Sequence, residues 1–364
     1  MRTVRPTRAR DCTDCYRLGR GGAPSPVRHL ISTIDAHTGG QPLRLVVDGT
    51  VRPSGSTMAL RAEWLRRHAD HVRRTVVLPP RGHHDMVAAQ LVDPLLPGSH
   101  AGIVFMDAGG YRATSGHGII AAATIAIERE LLYDRAAGQS MMELAFETAV
   151  GIVRARARIK HVGDRTRVDS VAMTGVPAFV YMPGHTVTLG ARELRVDIAF
   201  GGVFYAIVDT ESVGIPLTEA RVPELRRMGI DLTRAVNLSI RAAHPALPLT
   251  GVAGVVFTGP PQDPESHLRA VTVTGHGVVN WSPGATAMPA VMSVLEAMGL
   301  LPEDGPFVQE GLAGSVFRGR AVTRTAVGEL PALVAEIEGT AWITGEHTFH
   351  ADEDDPFREG VGKA

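Results

Sequence analysis

Apolar and polar positions change period repeatedly along this chain, and each change marks an element. "HLISTID" and "LRLVVDG" alternate or run apolar, predicting two strands around a loop that contains Gly-Gly. Across 62–77, "AEWLRRHADHVRRTVV" carries apolar residues at helical spacing with a charged outer face. "HHDMVAAQLVDP" and "AGIVFMDAGG" predict strands, "SMMELAFETAVGIVRARARI" a hairpin across Ala149–Gly151, and "VDSVAMTGVPAFVYM" further strand. "FGGVFYAIVDT" opens a second half. An amphipathic helix follows over "LTEARVPELRRMGIDLTRAVN", with Thr218 as its expected cap. Strands are then expected at "GVAGVVFTG", "LRAVTVTGHGVVNW", "SVFRGRAV" and "TAWITGEHTFH".

Two helical segments differ from the rest. Residues 116–133 and 288–300 are rich in small and apolar residues on every side. A helix that is hydrophobic all round is enclosed all round, which suits one threaded through a curved sheet. Aligning Ser115 with Gly284 sets Gly116 against Ala285, His117 against Thr286, Ala121 against Ala290 and Ile125 against Val294. Two Ala-rich helices can also match by chance, so the pattern alone leaves repeat and coincidence both open. The expected organisation is an extension over 1–28, an N-terminal lobe over 29–195, a C-terminal lobe over 196–350 and a terminal segment over 351–364. Strands from the chain's end are allowed to join the first lobe.

Composition narrows the class. Hydrophobic residues make up 44% and charged residues 21% of 364, with a formal net charge of −1. That is an ordinary soluble globular balance, and it argues against non-specific nucleic-acid binding. No apolar run approaches the roughly 20 residues that span a membrane. Both cysteines, Cys12 and Cys15, fall in the arginine-rich first 28 residues. A basic extension, or an upstream start codon, accounts for them better than a working dithiol or half a zinc site. With no disulfide framework, a cytoplasmic location is expected.

The turns before the two apolar helices, "TSGHG" and "SPGATA", carry the candidate chemistry. A helix's first turn leaves N–H groups unpaired and partly positive, so two mouths face to face make a dry anion site. A carboxylate held there acidifies the adjacent Cα proton, because the developing charge lies on the same oxygens. One base on each face would invert the centre. One base alone must lead elsewhere, for example to loss of a β-substituent.

"IDAHTGGQPLRLV", "RGHHDM", "TSGHG", "FGGVFYAIVD", "NWSPGATA", "GSVFRGRAV" and "DEDDPFREG" occur in the order seen in the proline racemase family, which the chain resembles over roughly residues 30–360. That family includes hydroxyproline epimerases and trans-3-hydroxy-L-proline dehydratases. The resemblance implies an α/β fold of two pseudo-symmetric halves, each a curved sheet around a central helix, as in diaminopimelate epimerase. It also implies a small amino-acid substrate and no cofactor or metal, and leaves a homodimer open. It places Ser115 at the family's first catalytic position, with Gly116, His117 and Gly118 following. Where the second site usually reads Asp-Arg-Ser-Pro-Cys-Gly-Thr-Gly, this chain has Asn280, Trp281, Ser282, Pro283, Gly284, Ala285, Thr286 and Ala287. Asn280 replaces the aspartate that would pair with a substrate ammonium, and Gly284 replaces the second base or hydroxyl. Pro289 removes a donor near that helix, which is expected to begin about there.

Ser115 and His117 are therefore the expected catalytic pair, with Ser115 the sole surviving catalytic side chain at the two mouths and bare backbone on the other flank. Ser115 also fits a plain N-cap. His117 could accept its proton, bond to backbone or contact substrate. Gly116, Gly118, Asn280, Trp281, Gly284, Ala285 and Thr286 are the expected substrate contacts. Adjacent histidines on a strand point to opposite faces, so only one of His83 and His84 can face the site, and the resemblance favours His83. Asp85 is expected to fix loop geometry, His276 to be structural, and His37, Thr38 and Gly39 to form a packing turn. The leading expectation is dehydration of a trans-3-hydroxy-L-proline-type substrate to a pyrroline carboxylate. A one-base epimerase and a catalytically silent carboxylate binder are the alternatives.

Overall fold

The computed structural model describes residues 28–132, 139–163 and 165–361. Cys12 and Cys15 lie outside the described residues. The named strands form a single continuously hydrogen-bonded sheet of 18 strands. It curves around two buried helices, Gly116–Glu128 and Ala287–Ala297. The first, the N-terminal central helix, packs against strands Arg28–Thr38, Gln41–Asp48, Gly151–Val162, Arg165–Thr174 and Ala341–Asp352. The second, the C-terminal central helix, packs against Ala178–Leu189, Arg192–Phe200, Phe204–Asp209 and Leu330–Gly339. The fold is thus α/β with two halves of one plan.

Every residue from Gly116 to Ile127 is buried, which explains why this segment reads apolar at all angles. Charged side chains could not be solvated anywhere along it. Small residues let the strands approach closely, and the two helices share one contiguous apolar core.

The halves are sewn together rather than merely apposed. Arg28–Thr38 pairs antiparallel with Ala341–Asp352, bringing the chain's end back to its start. Leu330–Gly339 pairs with both Arg165–Thr174 and Ala178–Leu189. Arg165–Thr174 packs on the first central helix, and the next strand, Ala178–Leu189, on the second. The hairpin across Ala149–Gly151 forms, with Thr148 opposite Gly151.

The helix expected over 62–77 is two helices, Met58–His68 and Asp70–Val77, because Ala69 leaves helical geometry between them (φ −142). Thr218 precedes a short 3-10 turn and makes no side-chain cap, and Val222–Ser239 is the helix proper. The strand expected from His83 begins only at Val87, and His83 to Met86 form a turn. Strands Phe307–Glu310 and Leu330–Gly339 lie in stretches that carried no strand expectation. Among the described residues no helix is long and apolar enough to cross a membrane.

Candidate active site

The two helix mouths meet. Ile119 N–H donates to Ser115 C=O (2.9 Å) at the start of the N-terminal central helix, and Met288 N–H to Gly284 C=O (2.8 Å) in the turn leading into the C-terminal one. Both residues accept the bond that opens their turn, but Ser115 is the cap of its helix while Gly284 stands two residues before the cap of the other, Thr286. The second helix begins at Ala287, two residues before Pro289. A Cβ on Gly116 would lie 2.6 Å from the carbonyl carbon of Ala285, so the mouths abut at backbone distance.

Between them lies a cavity of about 20 Å³, the room one water needs. Ser115, His117, Asn280 and Thr286 all line it. Ser115 caps its helix by accepting from Gly118 N–H at 3.3 Å, and its Oγ also lies 3.3 Å from His117 Nδ1 and 3.5 Å from Nε2. An in-line bond to one ring nitrogen would leave the other far out of reach, so this is proximity without alignment. Catalytic pairs often tighten only around substrate. Burial, reinforced by the charge of Arg112, pushes the His117 pKa down to about 3. The imidazole is therefore neutral at physiological pH, and one nitrogen is free of a proton and able to accept one. Thr38 Oγ1 fixes the turn by donating to His117 C=O at 2.9 Å.

On the opposite side Gly284 sits at φ +88, a conformation that favours glycine. The flank is not bare backbone, as the sequence led us to expect. A Cβ built there would lie 3.2 Å from Thr272 Oγ1 and 3.6 Å from Asn280 Nδ2. Asn280 and Thr272 are cross-strand partners. Asn280 Oδ1 accepts from Ser282 N–H at 3.0 Å and Ser282 Oγ at 2.8 Å, which shapes the turn into the helix.

Several expected contacts are used otherwise. Gly116 N–H donates to Thr286 Oγ1 at 2.6 Å, and Gly118 N–H to Ser115. Ala285 is buried against Gly116. Trp281 does not line the cavity. Its side chain packs on the C-terminal core, and the Trp281 backbone N–H donates to Gln41 Oε1 at 2.9 Å. His83 is exposed and also outside the cavity. The alternation argument fails because residues 83–86 are a turn, not a strand. Asp85 is what that motif contributes. It receives both Arg226 Nη groups (2.9 and 3.0 Å) and Val279 N–H (3.0 Å), which hold its carboxyl below its ordinary pKa against the opposing effect of burial. His276 is exposed and packs over Gly109.

The expected site residues did not include Gln41, Arg112, Tyr205, Thr272, Thr274, Val278 and Ala287, which complete the cavity wall. Arg112 faces Asp107 at 3.3 Å, and burial pushes the Tyr205 phenol up to about 12, so it remains a hydrogen-bond donor. A signal for the threonines existed in "AVTVT". Val271 and Val273 belong to the apolar core while Thr272 and Thr274 face the cavity, the period-2 alternation of a strand. Among the described residues no group of three or more His, Cys, Asp or Glu could hold a metal. A larger open groove of about 590 Å³ near Glu303, Arg320 and Arg324 contains none of the residues at the mouths.

The comparisons with known proteins agree with this fold. The family model described as proline racemase matches residues 33–362. Proline racemase of Acetoanaerobium sticklandii is 34% identical over 91% of this chain and 97% of its own length. Trans-3-hydroxy-L-proline dehydratase of Azospirillum brasilense is 32% identical over 92% and 98%. The crystal structure of a hydroxyproline epimerase from Agrobacterium vitis, with bound trans-4-hydroxy-L-proline, superposes with a TM-score of 0.83 at 28% identity, covering 92% of this chain and 95% of that one.

Proposed function

Because this chain belongs to the proline racemase family, we propose that it deprotonates Cα of a proline-like amino acid without a cofactor and expels water from C3, as a dehydratase of a trans-3-hydroxy-L-proline-type substrate. The observation that supports this reading is the asymmetry of the mouths: a hydroxyl beside a neutral imidazole on one, and a glycine at the aligned position of the other.

A serine hydroxyl becomes a base only if its proton has somewhere to go. His117 is buried, neutral and within 3.3 Å, so it can take that proton while Ser115 takes the one from Cα. In trans-3-hydroxy-L-proline the hydroxyl is trans to the carboxylate. The Cα–H and C3–O bonds therefore lie on the same ring face. One acid–base pair can remove the proton and then protonate the departing oxygen, leaving a pyrroline carboxylate and water. Inversion at Cα needs a proton delivered from the other face, where no imidazole or carboxylate among the described residues lines the cavity.

Substrate entry requires motion. The cavity is far smaller than a five-membered ring acid, so the lobes must part to admit it and close to exclude water.

The test is NMR in D2O with trans-3-hydroxy-L-proline, trans-4-hydroxy-L-proline and L-proline. Pyrroline formation from the first, without inversion of the others, is expected, and Ser115→Ala should abolish it. Inversion at Cα in the wild type would replace this reading with an epimerase. Turnover surviving Ser115→Ala would mean that the base lies elsewhere.

A further inference from the structure

The proposed reaction leaves one group at the site unexplained. Thr272 is 5% exposed, and its Oγ1 has no hydrogen-bond partner among the described residues. A buried hydroxyl without a partner has given up its bonds to water for nothing, which destabilises the fold. Strands usually escape that cost by placing valine or isoleucine there, as this strand does at Val271 and Val273. The orphan is not lost in the core. It lines the cavity between the helix mouths, 3.2 Å from where a Cβ of Gly284 would stand.

Three backbone donors at the mouths are already engaged. Gly116 N–H is bonded to Thr286, Gly118 N–H to Ser115 and Gly284 N–H to Ser282 Oγ. Pro289 has no N–H at all. A carboxylate bound between the mouths gains charge as its Cα proton leaves, and that charge needs donors fixed in advance. The Thr272 hydroxyl is fixed by its strand, shielded from water and unspent.

We propose that Thr272 is a substrate-contacting residue whose hydroxyl donates to the carboxylate of the bound acid on the flank opposite Ser115, filling the place that a side chain at position 284 would take. The ligand class is a small cyclic α-amino acid, so the inference rests on the reading above for its substrate, though not for the fate of the Cα proton. The contact forms with the bound carboxylate and strengthens as the enolate-like charge develops, so Thr272 acts on binding and more strongly on turnover. With no base beside it, it holds charge and does not relay protons.

Thr272→Val keeps the shape and removes the hydroxyl, and Thr272→Ser keeps the hydroxyl. For Thr272→Val, turnover of trans-3-hydroxy-L-proline should fall about a hundredfold, while the melting temperature stays level or rises because the orphan is gone. Thr272→Ser should stay within about tenfold of wild type in rate. A Thr272→Val enzyme with unchanged turnover, or one whose rate and melting temperature fall together while Thr272→Ser behaves the same way, overturns the proposal. If the wild type makes no pyrroline, the dehydratase reading fails on its own. Thr272 is then judged by calorimetric binding of L-proline: weakening of about tenfold or more in Thr272→Val supports the contact. Unchanged affinity, or no binding to wild type, overturns it.

Discussion

Gly116 and Thr286 join the two helix mouths directly: the Gly116 N–H donates to Thr286 Oγ1 at 2.6 Å, from the first turn of one central helix to the cap residue of the other. The contact exists because position 116 has no side chain. A methyl group there would meet the Ala285 carbonyl carbon at 2.6 Å and the Thr286 nitrogen at 2.8 Å. Backbone cannot swing aside as a side-chain tip can.

Gly116→Ala should therefore wedge the mouths apart. Overpacking of this kind costs about 1–3 kcal/mol, measurable by chemical denaturation. The loss of activity should be larger, at least about a hundredfold, since a small misplacement of reacting groups has that effect. Cα deuterium exchange in D2O reads it. A Gly116→Ala enzyme with near-normal exchange would show that the mouths need not abut for chemistry.

His117 gives a pH signature. Its folded pKa, near 3, lies below the ordinary value of 6.5. Between those values the unfolded chain binds a proton that the folded chain refuses, so stability rises with pH there. The contribution is fully present above about pH 6.5 and is lost as pH falls toward 3. Denaturation midpoints of wild type and His117→Gln should converge or cross across that window, the variant having no such proton to exclude. The acid limb of the rate profile between pH 5 and 7 should not report His117, which is already neutral throughout. If NMR shows His117 titrating near pH 6.5 in the folded protein, its burial in the working state is refuted.

Much of this arrangement was legible in the residues. The all-round apolar helices could only be central, and their alignment put Ser115 opposite a glycine before any coordinates. What failed shares a cause. Trp281 and His83 were placed by the motif that carries them, but a motif fixes backbone position, not where a side chain turns. Residues 83–86 form a turn, so strand alternation had no hold there. Arg112 and Tyr205 reach the cavity from strands far apart in the sequence, a juxtaposition that only sheet register creates. Thr272 was readable in principle, from alternation with its valines, but the strand's inner face was not yet known to be the site wall.

Asp85 ties the two lobes. It sits in the turn before Val87 in the first and bonds Arg226 and the Val279 amide in the second. Arg226 also donates to Gly277 C=O. The pair is partly buried, 14% and 27% exposed, so solvent screens it incompletely. Asp85→Asn keeps one acceptor but loses the charge. It should cost about 1.5–3 kcal/mol in denaturation and raise KM more than it lowers kcat, because the closed arrangement becomes less favoured before chemistry begins. A change confined to kcat would place Asp85 in the reaction instead of the closure.

Asn280 decides how the site treats a substrate's cationic nitrogen. Among the described residues no carboxylate lines the cavity and a guanidinium, Arg112, does. A zwitterion therefore finds no negative partner for its nitrogen at the cavity wall. Asn280→Asp supplies one at little structural cost, since Asn280 already works through Oδ1, accepting from Ser282, and a carboxylate oxygen accepts equally well. Exchanging a neutral contact for a charge-assisted one is worth about 1 kcal/mol, roughly fivefold in Kd. L-Proline should bind Asn280→Asp that much more tightly by calorimetry. Tetrahydrofuran-2-carboxylate, with the same ring and carboxylate but an ether oxygen in place of the nitrogen, should bind more weakly, because two acceptors then face each other. If both ligands shift together, the substitution has altered the turn at Ser282 rather than the charge beside the ring, and the neutral amide is not what sets the site's preference.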